Sequence, residues 1–189
     1  MRRTNKNIHQ PTVDNTTTPP TSEGPRRFNV FIGIDNGVTG TIGIIVPSGS
    51  YFYEIPVKKE QNYTKKKGNI SRVVGTALKE MLAPFVNSNT MIQIERPMVN
   101  PGRFVATTSA LRALEAVLIV VEQLGLAYEY IDSKEWQKVL LPQGSKKEQL
   151  KEDSKNIGCR LFPQHRELIE KHKDADGILI AEYCRRKFH

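Results

Sequence analysis

The sequence predicts a mixed α/β domain: three antiparallel strands, then helices alternating with two further parallel strands. Three observations carry that expectation. Residues 28–54 run FNVFIGID, NGVTG, TIGIIV, PSGS and YFYE, short β-branched and aromatic runs divided by Gly- and Ser-rich turns, the pattern of an antiparallel meander. TMIQIE at 90–95 and LAYEYI at 126–131 are mostly apolar, as expected of strands covered on both faces. Between and after them the apolar spacing is helical.

A chain of 189 residues is ample for one core and short for two. Residues 1–27 are polar, basic and Pro-rich, cannot bury enough surface to offset ordering entropy, and read as a disordered tail before a folded domain at 28–189. MRRTNKNIHQ lacks the apolar run of a secretory signal, although an organelle transit peptide fits the acid-poor tail. No run reads as long enough to span a bilayer, since the longest, at 117–121, has charge on both sides, so no membrane partner is expected. Cys159 and Cys184 lack zinc-site or CxxC spacing, which fits reduced thiols and an intracellular setting: cytoplasm, nucleoid, an organelle or a phage-infected cell. The net charge of +8 points to a polyanionic partner.

In the meander, Asp35 ends the first apolar strand between Gly33 and Gly37, which leave room for close approach of a backbone, a metal or a phosphate; a turn-forming Asp-Asn-Gly fits the same residues. Residues 56–72 form a basic loop in which Lys65, Lys66 and Lys67 beside Tyr63 are suited to phosphates and a stacked base, or simply to solvent. The spacing in SRVVGTALKEMLAPF predicts a helix ended by Pro84. The strand at 90–95 ends in Glu95, and the following loop carries Arg96, Met98, Arg103 and Phe104.

Residues 105–124 read as a long helix stopped by Gly125 and apolar nearly all round, which in so small a domain favours a subunit interface. Asp132–Glu135 and Ser145–Glu148 both have capping-box spacing and open the next two helices, the second ending near Pro163, and a short helix spans 165–171. In the last helix, Asp176, Ile180 and Tyr183 share one stripe, so Asp176 is directed at the sheet. Asp174 would then be a cap, and an early helix start would bring His172 beside Asp176.

Three separate elements thus deliver Asp35, Glu95 and Asp176 to one end of a sheet. Carboxylates so gathered repel unless cations sit between them, and hard oxygen ligands suit Mg²⁺, with Mn²⁺ as a substitute, in the two-ion arrangement for in-line displacement at phosphorus. With the basic surface, this points to a nucleic-acid phosphodiester.

In order, GIDNGVTGTIGII, IERPM and HKDADGILIAEY resemble the three motifs of RuvC-type Holliday junction resolvases, the phage, bacterial and chloroplast branch above all, over about residues 28–187. The resemblance implies a ribonuclease H-like fold with a mixed five-stranded sheet. It further implies a homodimer that makes paired symmetric nicks across four-way DNA, leaving 5′-phosphate and 3′-hydroxyl ends. Asp35, Glu95 and Asp176 match the metal-binding acids, two ions per site. Bacterial relatives carry Asp or His three residues before the last acid, where this chain has Lys173; His172 fits the phage and chloroplast spacing, with Asp174 as its competitor. Met98, Arg103 and Phe104 match a loop that wedges into the junction, and the 105–124 helix matches the dimer seam.

Three rival readings share parts of this pattern. Asp35-Asn-Gly-Val-Thr39 also fits the phosphate loop of sugar kinases and actin-like ATPases, but those need a second domain. A non-catalytic junction binder has no use for the acids, and a nuclease for other branched DNA, such as forks or flaps, would share them.

Overall fold

A computed structural model describes residues 27–62, 65 and 67–189; the tail to residue 26, Tyr63, Thr64 and Lys66 lie outside it. Strands β1 (Val30–Ile34), β2 (Thr41–Val46) and β3 (Gly49–Glu54) form the meander. β4 (Val57–Gln61) and β5 (Asn69–Val73) make a separate hairpin, followed by α1 (Gly75–Leu82). Then come β6 (Thr90–Glu95), α2 (Phe104–Gln123), β7 (Ala127–Ile131), α3 (Ser133–Leu140), α4 (Leu150–Leu161), α5 (Arg166–Lys171) and α6 (Asp176–Phe188).

The main sheet has five strands in the order β3-β2-β1-β6-β7. β1, β2 and β3 pair antiparallel, while β6 joins β1 and β7 joins β6 in parallel. This order and pairing is the ribonuclease H-like arrangement.

Strand alternation divides the core between the two faces. Ile32 and Ile34 of β1, Ile42 and Ile44 of β2, and Ile92 and Ile94 of β6 pack with Leu78 and Leu82 of α1 and Ala113, Val117, Val120 and Val121 of α2. Phe52, Ile131 and Trp136 pack on the opposite side with Ile178, Leu179 and Ile180 of α6, and Phe31 and Met91 meet Cys184 there. Sandwiched between the sheet and α3 and α4, α6 is buried almost all round.

Two segments depart from the sequence reading. Residues 56–72 are not a loop: the β4–β5 hairpin occupies most of them, with the Glu60 carboxylate bridging Lys58 and Arg72. Val73, whose apolarity extended the expected helix backwards, belongs to β5, so α1 begins only at Gly75. The two capping boxes also part company. Glu135 accepts the Asp132 amide as expected, but the Ser145 hydroxyl donates to the Pro142 carbonyl and α4 starts later, at Leu150.

Residues Pro101–Gln123 are long and apolar enough to cross a membrane by length and composition, contrary to the expectation from the sequence. Within the domain, however, α2 packs against α1 and β5, and Arg112 and Glu115 interrupt its apolar surface.

Candidate active site

Parity builds the site. Ile34 pairs with Ile94 in the parallel β1–β6 register, so Asp35 and Glu95, each the next residue along, leave the sheet side by side. Both alternate with residues facing the α1–α2 layer, so both belong to the α6 face.

Close packing brings α6 onto that face. A Cβ added to Gly33 would lie 2.1 Å from the Ala181 nitrogen, one on Gly43 2.2 Å from the Ile178 Cα, and one on Gly177 2.5 Å from the Thr41 carbonyl oxygen. These three glycines let helix and sheet backbones touch. The Gly177 amide also donates to the Thr41 hydroxyl at 3.0 Å, pinning the start of α6 to β2. Gly33 is thus a close-approach position for a backbone, as one of the sequence alternatives had it. Gly37 has open space around it, and its φ of +152° marks it as a turn glycine.

Ligand-capable atoms of Asp35, Asp174 and Asp176 lie within 4.8 Å of one another. Asp174 precedes α6 instead of lying on it, its side chain only 2% exposed. The Asp176 amide lies 3.5 Å from an Asp174 carboxylate oxygen, a long cap contact. His172 does not enter this group. It closes α5 in extended conformation, so the helical spacing that would have aligned it with Asp176 does not exist. Its Nδ1 sits 3.1 Å from the Asp174 carbonyl oxygen and 3.6 Å from its carboxylate, and its ring stands edge-on to Phe52.

Glu95 faces the same cleft as Asp35. The Ser133 hydroxyl at the start of α3 donates to one of its oxygens, and the other has no hydrogen-bond partner. The buried Trp136 indole lies near enough to lower the Glu95 pKa without a formed hydrogen bond. Ser154 of α4 accepts the Ala175 amide at 3.0 Å and donates to Asp176 at 2.5 Å. None of Ser133, Ser154, Thr41 or Lys173 was singled out as a site residue from the sequence.

The electrostatics are those of a site short of positive charge. Burial, then the carboxylates of Asp176, Glu95 and Asp174, hold Asp35 well above the ordinary carboxylate range. Asp176 is pushed up to about 7 by burial and Asp174, against the Ser154 hydrogen bond. Glu95 is raised chiefly by burial. One oxygen each of Asp35 and Glu95 is buried without a hydrogen-bond partner. An all-oxygen donor set with orphaned carboxylate oxygens and raised proton affinities fits hard divalent cations.

Of the residues expected to meet DNA, Arg96, Met98 and Arg103 line the cleft beside Asp35 and Glu95. Asp35, Asn36, Glu95, Arg96, Met98 and Arg103 are among those lining a cleft of about 320 Å³, and Asn36 ties its floor to α2 by donating to the Ala110 carbonyl at 3.2 Å. Met98 is 76% and Phe104 74% exposed, so neither packs beneath its loop. Arg96 lies over the Tyr130 ring and 3.8 Å from Asp132. Lys65 and Lys67 are exposed in the β4–β5 turn, while Trp136 is core.

No family model matches the sequence, and no curated protein does. Among solved structures, the chain is similar to Thermus thermophilus RuvC in complex with a Holliday junction substrate, at 15% identity and a TM-score of 0.48, over 81% of this chain and 90% of that one. It is also similar to a second Thermus thermophilus RuvC structure, at 18% identity and a TM-score of 0.45, over 84% and 97% of the two chains.

Proposed function

We propose that this protein is a metal-dependent endonuclease that resolves four-way DNA junctions inside the cell by paired, symmetric nicks. The observation that carries the reading is the convergence of carboxylates from three parts of the chain: Asp35 clusters with Asp174 and Asp176, and Asp35 and Glu95, each with an orphaned oxygen, line the same cleft. The motif resemblance narrows the chemistry from phosphodiesters in general to branched DNA.

In this reading Asp35, Asp174 and Asp176, with Glu95, hold two Mg²⁺ ions, and His172 positions Asp174. When bound, such ions lower the pKa of the attacking water and stabilise the leaving 3′-oxygen, with Mn²⁺ able to substitute. The remaining work falls to the chain. Ser133 and Ser154 each donate to one carboxylate, fixing rotamers that repulsion would otherwise scatter. Arg96, Arg103 and the basic run Lys65, Lys66 and Lys67 neutralise DNA phosphates, and Met98 and Phe104 insert where base pairs open at the junction centre. A second copy docked along α2 supplies the symmetric nick.

The test is a panel of labelled four-way junction, fork, flap, linear duplex and RNA:DNA hybrid, each with Mg²⁺, Mn²⁺ or EDTA. Expected is metal-dependent symmetric cutting of the four-way junction, yielding religatable nicks. Equal cutting of forks and flaps would broaden the substrate to branched DNA, and tight junction binding without cutting in any metal would leave a structural binder.

A further inference from the structure

Lys173 stands where the acid cluster meets solvent. Its ammonium lies 3.5 Å from an Asp174 oxygen, 4.0 Å from the otherwise unpartnered Asp35 oxygen, and donates to the exposed Thr39 hydroxyl at 3.2 Å. The side chain is 37% exposed, against 15% for Asp35 and 2% for Asp174, so the charged head hangs over the carboxylates from the outside. Its positive charge opposes the raised proton affinity of Asp35, Glu95 and Asp176 alike. Neither carboxylate contact is at hydrogen-bond distance, and the four-carbon stem is flexible, so the head can leave without breaking a tight pair.

We propose that Lys173 is a tethered competing cation: in the metal-free protein its ammonium occupies the position between Asp35 and Asp174, and divalent metal enters only as that ammonium swings out to solvent. The inference rests on the metal-dependent reading above. Lys173 is then a positioning residue with two opposed effects. It stabilises the metal-free fold by offsetting repulsion among acids that α6 and the sheet hold together, and it weakens metal binding by having to be displaced. A lysine that merely decorated the surface would do neither, and one that helped to hold the metal site in shape would favour binding.

The experiment uses the full chain without DNA: Mn²⁺ binding by electron paramagnetic resonance and calorimetry, and thermal melts at pH 8 in EDTA, for wild type, Lys173→Met and Lys173→Arg. Lys173→Met is expected to bind Mn²⁺ at least about tenfold more tightly, the effect of removing an opposite charge within a few ångströms of the ligands. The same variant should melt lower than wild type in EDTA, and Lys173→Arg should restore both properties toward wild type. Should Lys173→Met fail to fold, Lys173→Gln takes its place. Wild-type Mn²⁺ affinity in a folded charge-removed variant would overturn the role of Lys173 while leaving the metal site standing. Wild type and Asp35→Asn binding Mn²⁺ equally, or not at all, would instead overturn the metal site itself.

Discussion

At Asp35, Glu95 and Asp176 the fold holds carboxyl groups where ionisation is costly, and that fixes how stability varies with pH. A carboxyl whose folded pKa is raised binds its proton more tightly folded than unfolded. Its contribution to stability is therefore full below the unfolded value, near pH 4, and is lost as pH climbs through the folded value, about 7 for Asp176. The metal-free protein should accordingly lose melting temperature between pH 5.5 and pH 8, and saturating Mg²⁺ should restore it. Asp35→Asn removes one repelling charge, so in EDTA at pH 8 it should melt roughly 2 to 4 °C higher than wild type, the response to about 1 kcal/mol in a domain of this size. The same variant should bind junctions and leave them uncut; Asp35→Asn that melts at or below wild type would remove repulsion as the cause of the shift. Ser154→Ala deletes both an acceptor for the Ala175 amide and the donor to Asp176, and should cost about 1 to 3 kcal/mol in a denaturant titration. Without that hydrogen bond the Asp176 pKa rises further, so the acid limb of the cleavage pH profile should move to higher pH. The acids are legible in the sequence because each ends or opens an apolar run. Ser133 and Ser154 are not, since a serine carries no periodic signature and its partner lies 38 or 22 residues away.

Among the elements, the contact of α6 with β1 and β2 determines whether there is a site at all. Its helical stripe is readable from Asp176, Ile180 and Tyr183, and so is the role of Gly33 as a point of close approach. That Gly43 and Gly177 complete the contact is not readable, because a glycine in a strand or a first turn looks the same whether it faces solvent or a backbone. Gly33→Ala puts a methyl group 2.1 Å from the Ala181 nitrogen, and no side chain is available to yield. Relief requires α6 to move off the sheet, taking Asp176 from Asp35. The expected cost is about 3 kcal/mol or more by denaturant titration, since overpacking against backbone lies at the upper end of such effects. Any folded fraction should also show weakened Mn²⁺ binding; a variant with wild-type stability and affinity would mean that the contact is looser than described. The β4–β5 hairpin escapes sequence reading for the opposite reason. VKKEQ has no apolar alternation, and its pairing rests on backbone hydrogen bonds and the Glu60 ion pairs, which a loop of the same composition could equally carry.

For the whole molecule the open question is what covers α2. Its inner face is spent on the core through Ala113, Val117, Val120 and Val121, yet Leu111 and Ile119 remain exposed, and Phe104 and Val105 extend the apolar surface to the rim of the cleft. The sequence indicates two-sided apolarity without saying which residues face which way, and Leu114 and Leu118 are half-buried against the core. Leu111 and Ile119 are the cleaner probes, because surface substitutions away from packed features usually change fold stability by about 0.5 kcal/mol or less. A homodimer along this face would carry one cleft per copy related by a two-fold axis, as paired nicks on a symmetric junction require. Leu111→Glu combined with Ile119→Glu should therefore give monomers by light scattering with an unchanged melting transition of the fold. On a supercoiled plasmid extruding a cruciform, wild type should produce linear product from two cuts made within one binding event, whereas the double variant should accumulate nicked circles. A double variant that stays dimeric would move the interface elsewhere, and a monomer that still linearises the plasmid in one event would show that paired cutting does not need the second copy.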